Sequence, residues 1–189
     1  MGKLISIFFL CFTFVCTSCN IQTSIHDPSL EEEVSLKETV TTKICFTRSK
    51  DPKDLALVNV QRRVPKGENI IDATLKELFL GPTKREMLQG IMTEIPVGTR
   101  LIKIEESEDA ILVDLSSQYL VGGGAASVQL RYLQLYRTLK SLVPKKKLYL
   151  HVDGKNIKAI AGEGLEVTQP LSAIDDYTKT HEKSDDLQP

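Results

Sequence analysis

The sequence predicts an α/β fold of the α+β kind, a single compact domain with the element order ββ-α-ββ-α-ββ and a mixed or antiparallel sheet with helices packed on one face. Three observations carry this. Segments with the helical period interleave with pairs of short alternating or continuous apolar runs. Each segment has one apolar face, so each demands a second layer to cover it. The chain has 189 residues, 41% hydrophobic and 26% charged, enough for one ordinary core and far from the composition of a disordered, collagen-like or polytopic membrane chain. With 24 Lys+Arg against 25 Asp+Glu the net charge is -1, which gives no basis for expecting a nucleic-acid binder.

The chain opens with Lys3, an apolar run from Leu4 to Val15, and Thr17-Ser18-Cys19. This is the layout of a bacterial secretion signal. A run of roughly 12 residues rises about 18 Å as a helix, short of the ~30 Å hydrocarbon core, so a permanent span is not expected. Small residues before Cys19 resemble the lipobox of bacterial lipoproteins, although Cys16 stands where Leu is usual. The resemblance implies cleavage between Ser18 and Cys19, lipid on Cys19, and a protein held to a membrane on the extracytoplasmic side, in the periplasm or at the cell surface. Of the four cysteines, Cys11 and Cys16 then leave with residues 1–18 and Cys19 carries lipid. Cys45, in an apolar run, reads as a small buried hydrophobe rather than a catalytic thiol. Residues 19–42 are polar, with Glu31-Glu32-Glu33, and read as a flexible tether. Residues 176–189 read as a disordered acidic tail.

The folded part is expected over residues 43–175. Thr42 to Thr47 and Leu55 to Val64 are β-branched and apolar, separated by the turn-rich Ser49-Lys50-Asp51-Pro52-Lys53, which predicts two strands. Ile71, Leu75, Leu78 and Phe79 recur with helical spacing, so Asn69 to Leu80 is a helix stopped by Gly81-Pro82, with a further helical turn at Lys84 to Gly90. Leu101 to Glu105 and Ala110 to Leu115 alternate around an acidic turn, as a hairpin does. After Gly122-Gly123-Gly124, the positions Val128, Tyr132, Leu135, Leu139 and Leu142 lay an apolar stripe on a helix from Ala125 to Val143, ended by Pro144. Lys147 to Val152 is a strand, Asp153-Gly154 a tight turn, and Ile157 to Ile160 its expected partner strand.

Several motifs then stand in a telling order: Leu75-x-x-Leu78 into Gly81-Pro82-Thr83, Ile95-Pro96-x-Gly98-Thr99-Arg100-Leu101, Val113-Asp114-Leu115-Ser116, the glycine-rich entry to the long helix, and Val152-Asp153-Gly154. In that order, over about Phe46 to Leu171, they resemble the GerMN domain of sporulation and spore-germination proteins and of many bacterial envelope lipoproteins. The resemblance implies a small α/β domain outside the membrane, without enzymatic activity, similar in outline to ring-building modules of envelope assemblies.

The chemical motifs point the same way. Gly122-Gly123-Gly124 lacks the Lys-Ser/Thr of a phosphate-binding loop and reads as a flexible entry to the helix. His151 and Asp153 share a strand face, but His26 and His181 fall in the two tails, so no metal site and no cofactor are expected. Ser116 and Ser117 lack a nucleophile elbow. Glu77, Glu86, Glu94 and Asp114 are the acids available to a hydrolase. Lys145-Lys146-Lys147 is a basic run that anionic headgroups would attract. The expectation is a lipid-anchored envelope protein that binds a protein partner, with no catalytic residues and no nucleic acid. The competing reading is a receptor for a small ligand or cell-wall fragment, using the loops at Gly81, Pro82 and Thr83, at Gly98, Thr99 and Arg100, and at Gly122, Gly123 and Gly124; a third is an envelope hydrolase.

Overall fold

Two long antiparallel strands open the described chain: β1 (Thr39–Ser49) pairs with β2 (Leu55–Pro65) over eleven consecutive residue pairs, Thr39 with Pro65 through Ser49 with Leu55. β-branched residues at Val40, Thr41, Thr42, Val58, Val60 and Val64 favour this extended ribbon. The computed structural model describes residues 38–49, 55–160 and 165–173, all within the contact unit Leu36–Pro189. The expected signal with Ser18 and Cys19, the tether up to residue 37, the turn at 50–53 and the tail at 176–189 lie outside the described residues. The tether expected over 19–42 ends earlier than its composition suggests, because Thr39 to Thr42 already belong to β1, paired with Pro65 to Arg62.

Helix α1 (Ile70–Leu80) follows, its start fixed by Asn69, whose Oδ1 accepts from the N–H groups of Ile71 and Asp72 at 2.9 and 3.2 Å. Its buried face of Ile71, Leu75 and Leu78 packs on the first sheet, and Thr74 donates to Thr42 Oγ1 at 3.0 Å. α2 is one turn, Lys84–Met87, where the sequence suggested a run to Gly90. The chain leaves it to make β3 (Ile91–Met92), a strand the sequence did not announce, which pairs with β1 at Thr47 and Arg48. Two residues are too few to show a period. The first sheet thus has the order β2-β1-β3.

The second sheet has the order β4-β5-β6-β7, with β4 (Leu101–Glu106), β5 (Ala110–Leu115), β6 (Lys147–Val152) and β7 (Lys155–Asn156). β5 and β6 are parallel, so the chain between them needs a long crossover. Helix α3 (Ala125–Leu142) is that crossover, entered through a 3-10 turn at Ser117–Leu120. Its expected stripe is in the core: Val128, Tyr132, Leu135 and Leu139 are buried, facing Ile111, Val113 and Leu115 of β5 and Leu148, Leu150 and Val152 of β6 within one apolar cluster.

One expectation fails after β6. Its partner is Lys155–Asn156, not Ile157 to Ile160. Asp153 and Gly154 both have positive φ, 48° and 73°, as a two-residue hairpin turn requires, so the chain must return to the sheet immediately after Gly154. Ile157 and Ile160 are buried instead, and β8 (Ala159–Ile160) pairs with β9 (Leu165–Glu166) in a separate ladder.

Candidate interaction site

A second stripe on α3, one position before the apolar one, organises the loops. Ser127, Arg131, Gln134, Thr138 and Ser141 repeat every four and three residues, and all of them bond to main chain or loop atoms across the domain. Thr138 Oγ1 accepts from Cys45 N–H at 3.0 Å, Gln134 Nε2 donates to Cys45 O at 3.3 Å, and Ser141 donates to Lys43 O at 3.2 Å. These side chains satisfy an edge of β1 that β3 does not reach. Gln134 Oε1 accepts from Glu94 N–H at 2.8 Å, and the Glu94 carboxylate accepts from Ser127 at 2.6 Å.

Arg131 is the centre of this stripe. It is 2% exposed. Nε donates to Glu94 O at 3.1 Å, Nη1 to Tyr119 O at 2.7 Å and Nη2 to Gly122 O at 2.9 Å, with the guanidinium 5.9 Å from the Tyr119 ring centre. One side chain therefore pins three loop segments, although burial lowers its proton affinity below the usual arginine range. Tyr119 is buried beneath it, and burial pushes its phenol up.

The three loops named from sequence converge on these segments. A side-chain carbon at Gly81 would lie 3.5 Å from Thr93 Cγ2, and one at Gly98 would lie 3.7 Å from Gln118 Cγ. Gly122 is held by Arg131, whose Nε holds Glu94, the residue after Thr93. Gly98, at φ 87°, is the left-handed third residue of a turn closed by Thr99 N–H on Pro96 O at 3.1 Å. Thr99 Oγ1 also donates to Pro96 O, Arg100 N–H donates to Ser116 Oγ at 3.0 Å, and Thr83 caps α2 with Glu86. Pro82 and Gly124 complete the helix stop and the α3 N-cap. The named residues shape the loops. What the loops present are their neighbours: Leu80 is 78% exposed, Val97 92% and Val121 54%, each directly before a positive-φ glycine, and Leu88 in the α2 exit is 90% exposed. The repeated dipeptides Leu80-Gly81, Val97-Gly98 and Val121-Gly122 were the signal that reading for glycines alone passed over.

The acids available to a hydrolase are all engaged. Glu86 takes a bidentate pair from Arg62 at 2.6 Å to each oxygen, and Glu77 stands 3.5 Å from Arg62 Nε. Arg62, with Thr83, pulls the Glu86 carboxyl down to about 2. Asp114 accepts from Gly154 N–H with both oxygens at 3.0 Å, which ties the Val-Asp-Leu-Ser motif of β5 to the Asp-Gly turn after β6. Ser116 Oγ accepts from Arg100, and the Asp153 carboxylate accepts from Ser117 N–H at 3.2 Å. Among the described residues no three His, Cys, Asp or Glu side chains are arranged to hold a metal, and no helix is long and apolar enough to cross a membrane. Two shallow depressions lie elsewhere, at Glu38, Pro65, Lys66 and Glu68 and at Thr39, Val40 and Ile70. In the basic run, Lys146 reaches Glu106 and Ser107 O at 2.7 Å and Lys147 reaches Asp109 at 3.4 Å.

The fold and this loop cluster define a small α+β domain in which the helix that crosses over within the second sheet also packs on β1 of the first. The family model of Germane, described as sporulation and spore germination, matches residues 43–158, and the chain belongs to that family. Among solved structures the chain is similar to the first GerMN domain of the sporulation protein GerM from Bacillus subtilis, with TM-score 0.58 and 18% identity over 71% of this chain and 98% of that one. It is also similar to the tandem GerMN domains of the same protein, with TM-score 0.57 and 16% identity over 75% of this chain. The chain spans about half of that tandem structure, 52% of it. A search of curated proteins gives no match.

Proposed function

We propose that this chain is a lipid-anchored protein of the cell envelope, held through Cys19 on the extracytoplasmic side, whose Germane domain binds a protein partner and performs no catalysis. The observation that carries the binding role is the set of exposed aliphatic turn tips, Leu80, Val97 and Val121, of which Val97 and Val121 adjoin segments that Arg131 bonds at Glu94, Tyr119 and Gly122. Rigid loops lose little entropy on docking. Each aliphatic side chain buried at an interface contributes about 1.5–3 kcal/mol before association costs, so three tips supply a useful anchor. The engagement of Glu77, Glu86, Glu94, Asp114 and Ser116 in the fold supports the non-catalytic role. The family's description, sporulation and spore germination, supports a partner that acts in one of those processes.

The test compares, in the native host, the tagged full-length chain with Cys19→Ala and with the triple change Leu80→Ser, Val97→Ser, Val121→Ser. The wild type is expected in the membrane fraction with acyl mass on Cys19 and a defined envelope protein after crosslinking. Cys19→Ala loses the membrane; the triple variant keeps it and loses the partner. An unmodified Cys19 refutes the anchor, and undiminished recovery of the partner by the triple variant refutes the tips.

A further inference from the structure

No second strand among the described residues lies along the outer edge of β2, where one backbone carbonyl, Gln61 O, accepts from the neighbouring Arg62 side chain at 3.3 Å. Among the described residues β2 pairs only with β1, and its register runs through eleven pairs without a shift. The direction of its backbone groups follows from the other edge of the ribbon. Cys45, opposite Asn59, sends its N–H and C=O away from β2, to Thr138 and Gln134. In an antiparallel ladder both members of such a pair point outward, so Asn59, and with it Leu57, Gln61 and Arg63, aims its N–H and C=O at the open side. The other sheet guards its edge: β4 has a register shift between Leu101 and Lys103 and carries the Lys103–Glu105 and Lys146–Glu106 ion pairs. A bulge and charges are what keep an edge strand from pairing. β2 has no register shift, and Pro65 stands only at its end.

We propose that β2 pairs with β2 of a second copy of this chain, antiparallel about a twofold axis at Asn59 or at Val60, making a continuous sheet in the order β3-β1-β2-β2-β1-β3. The sequence of the edge selects this occupant. Laid antiparallel on itself about Asn59, the strand sets Val58 against Val60, Arg62 against Ala56 and Arg63 against Leu55. About Val60, it sets Arg62 against Val58 and Arg63 against Leu57. No arginine meets an arginine in either register, whereas a parallel in-register pair would stack the exposed Arg63 on its own copy, at a cost; Arg62 is already paired with Glu86 and Glu77. Val58 and Val60, half-buried in one copy, gain cross-strand contacts. The pair is closed, because it consumes the open edge of both copies. It stands on strand register and does not depend on the turn tips; a dimer would carry two sets of those tips and bind a clustered partner with higher avidity.

The test is sedimentation equilibrium of the full-length chain in density-matched detergent, with Asn59→Lys and Asn59→Pro. Asn59→Lys brings like charges together across the axis. Asn59→Pro deletes an N–H aimed at the open edge and leaves the β1 ladder whole. The expected result is a species of twice the monomer mass for the wild type. Each variant is expected to dissociate with at least about a tenfold weaker constant while melting cooperatively. A wild type that stays monomeric up to about 100 μM overturns the proposal, since an affinity weaker than that is no stable pair. A dimer that both variants leave intact uses another surface and overturns it as well. If neither variant folds, Asn59 does not face outward and the proposal falls.

Discussion

Replacing Arg131 by Met tests whether the loops are built on one buried guanidinium. The change keeps the length of the side chain and removes donors to the carbonyls of Glu94, Tyr119 and Gly122. Hydrogen bonds from a charged donor are each worth about 1.5–3 kcal/mol net, and the abandoned carbonyls are left with a desolvation penalty. Against this, burying the guanidinium itself costs several kcal/mol, which Met does not incur. Three such bonds, set against the several kcal/mol that desolvating the guanidinium costs, leave a net loss of about 3–5 kcal/mol. For a domain of this size, a shift of about 2–5 °C per kcal/mol puts the melting temperature down by roughly 6–25 °C. Arg131→Lys recovers only part of this, because an ammonium on a single stem does not span three carbonyls set in different directions. The assay is thermal unfolding of the full-length chain by circular dichroism, with hydrogen exchange over residues 93–100 and 119–124. A loss below about 1 kcal/mol with unchanged exchange would refute the reasoning, since that is the cost of an ordinary surface change.

Two further outcomes follow from the same geometry. Gly123→Ala is expected to destabilise more than Gly122→Ala, because both glycines have positive φ but only at Gly123 would the new carbon meet Ser127 Oγ at 2.7 Å and Arg131 Nη2 at 3.0 Å. Strain alone costs about 1–2 kcal/mol, so equal urea midpoints for the two variants would sink the Arg131 cradle. The second outcome concerns pH. Glu86 falls from 4.5 to about 2 in the folded chain through its bonds from Arg62 and Thr83. A depressed carboxyl stabilises the fold above its unfolded value, so this contribution is complete above 4.5 and is lost as pH falls from there toward about 2. Glu86→Gln should flatten that part of the profile of urea midpoint against pH, and an unchanged acid slope would show that the Arg62 pair contributes nothing.

The long periodic segments were legible because period and burial coincide. Ile71, Leu75 and Leu78 had to face a core, as did Val128, Tyr132, Leu135 and Leu139, and Asn69, Gly81 and Pro144 marked where those helices begin or end. β3 and β7 were not legible, since two residues carry no period and their pairing comes from Thr47, Arg48 and the Asp153-Gly154 turn. The candidate loops were found through their glycines, whose φ values the turns do require. Their exposed faces were missed, because an isolated Leu or Val in a loop looks the same in sequence whether it folds inward like Ile95 or outward like Val97.

By itself the sequence determined the α+β class, the two long helices and the order of motifs that places the chain in its family, because these rest on local period and turn chemistry. It also set the near-neutral charge balance, 24 basic against 25 acidic residues. Only the tertiary structure decided what the polar stripe of α3 is for. Nothing local in the sequence says what Ser127, Arg131, Gln134, Thr138 and Ser141 bond to, and Arg131, Gln134 and Thr138 are buried because β1 and the Thr93–Ile95 segment present backbone groups with no strand to pair them. A buried carbonyl or N–H must find a partner from somewhere. Which residue supplies it depends on what stands opposite in space, and that information is not local to any stretch of the chain.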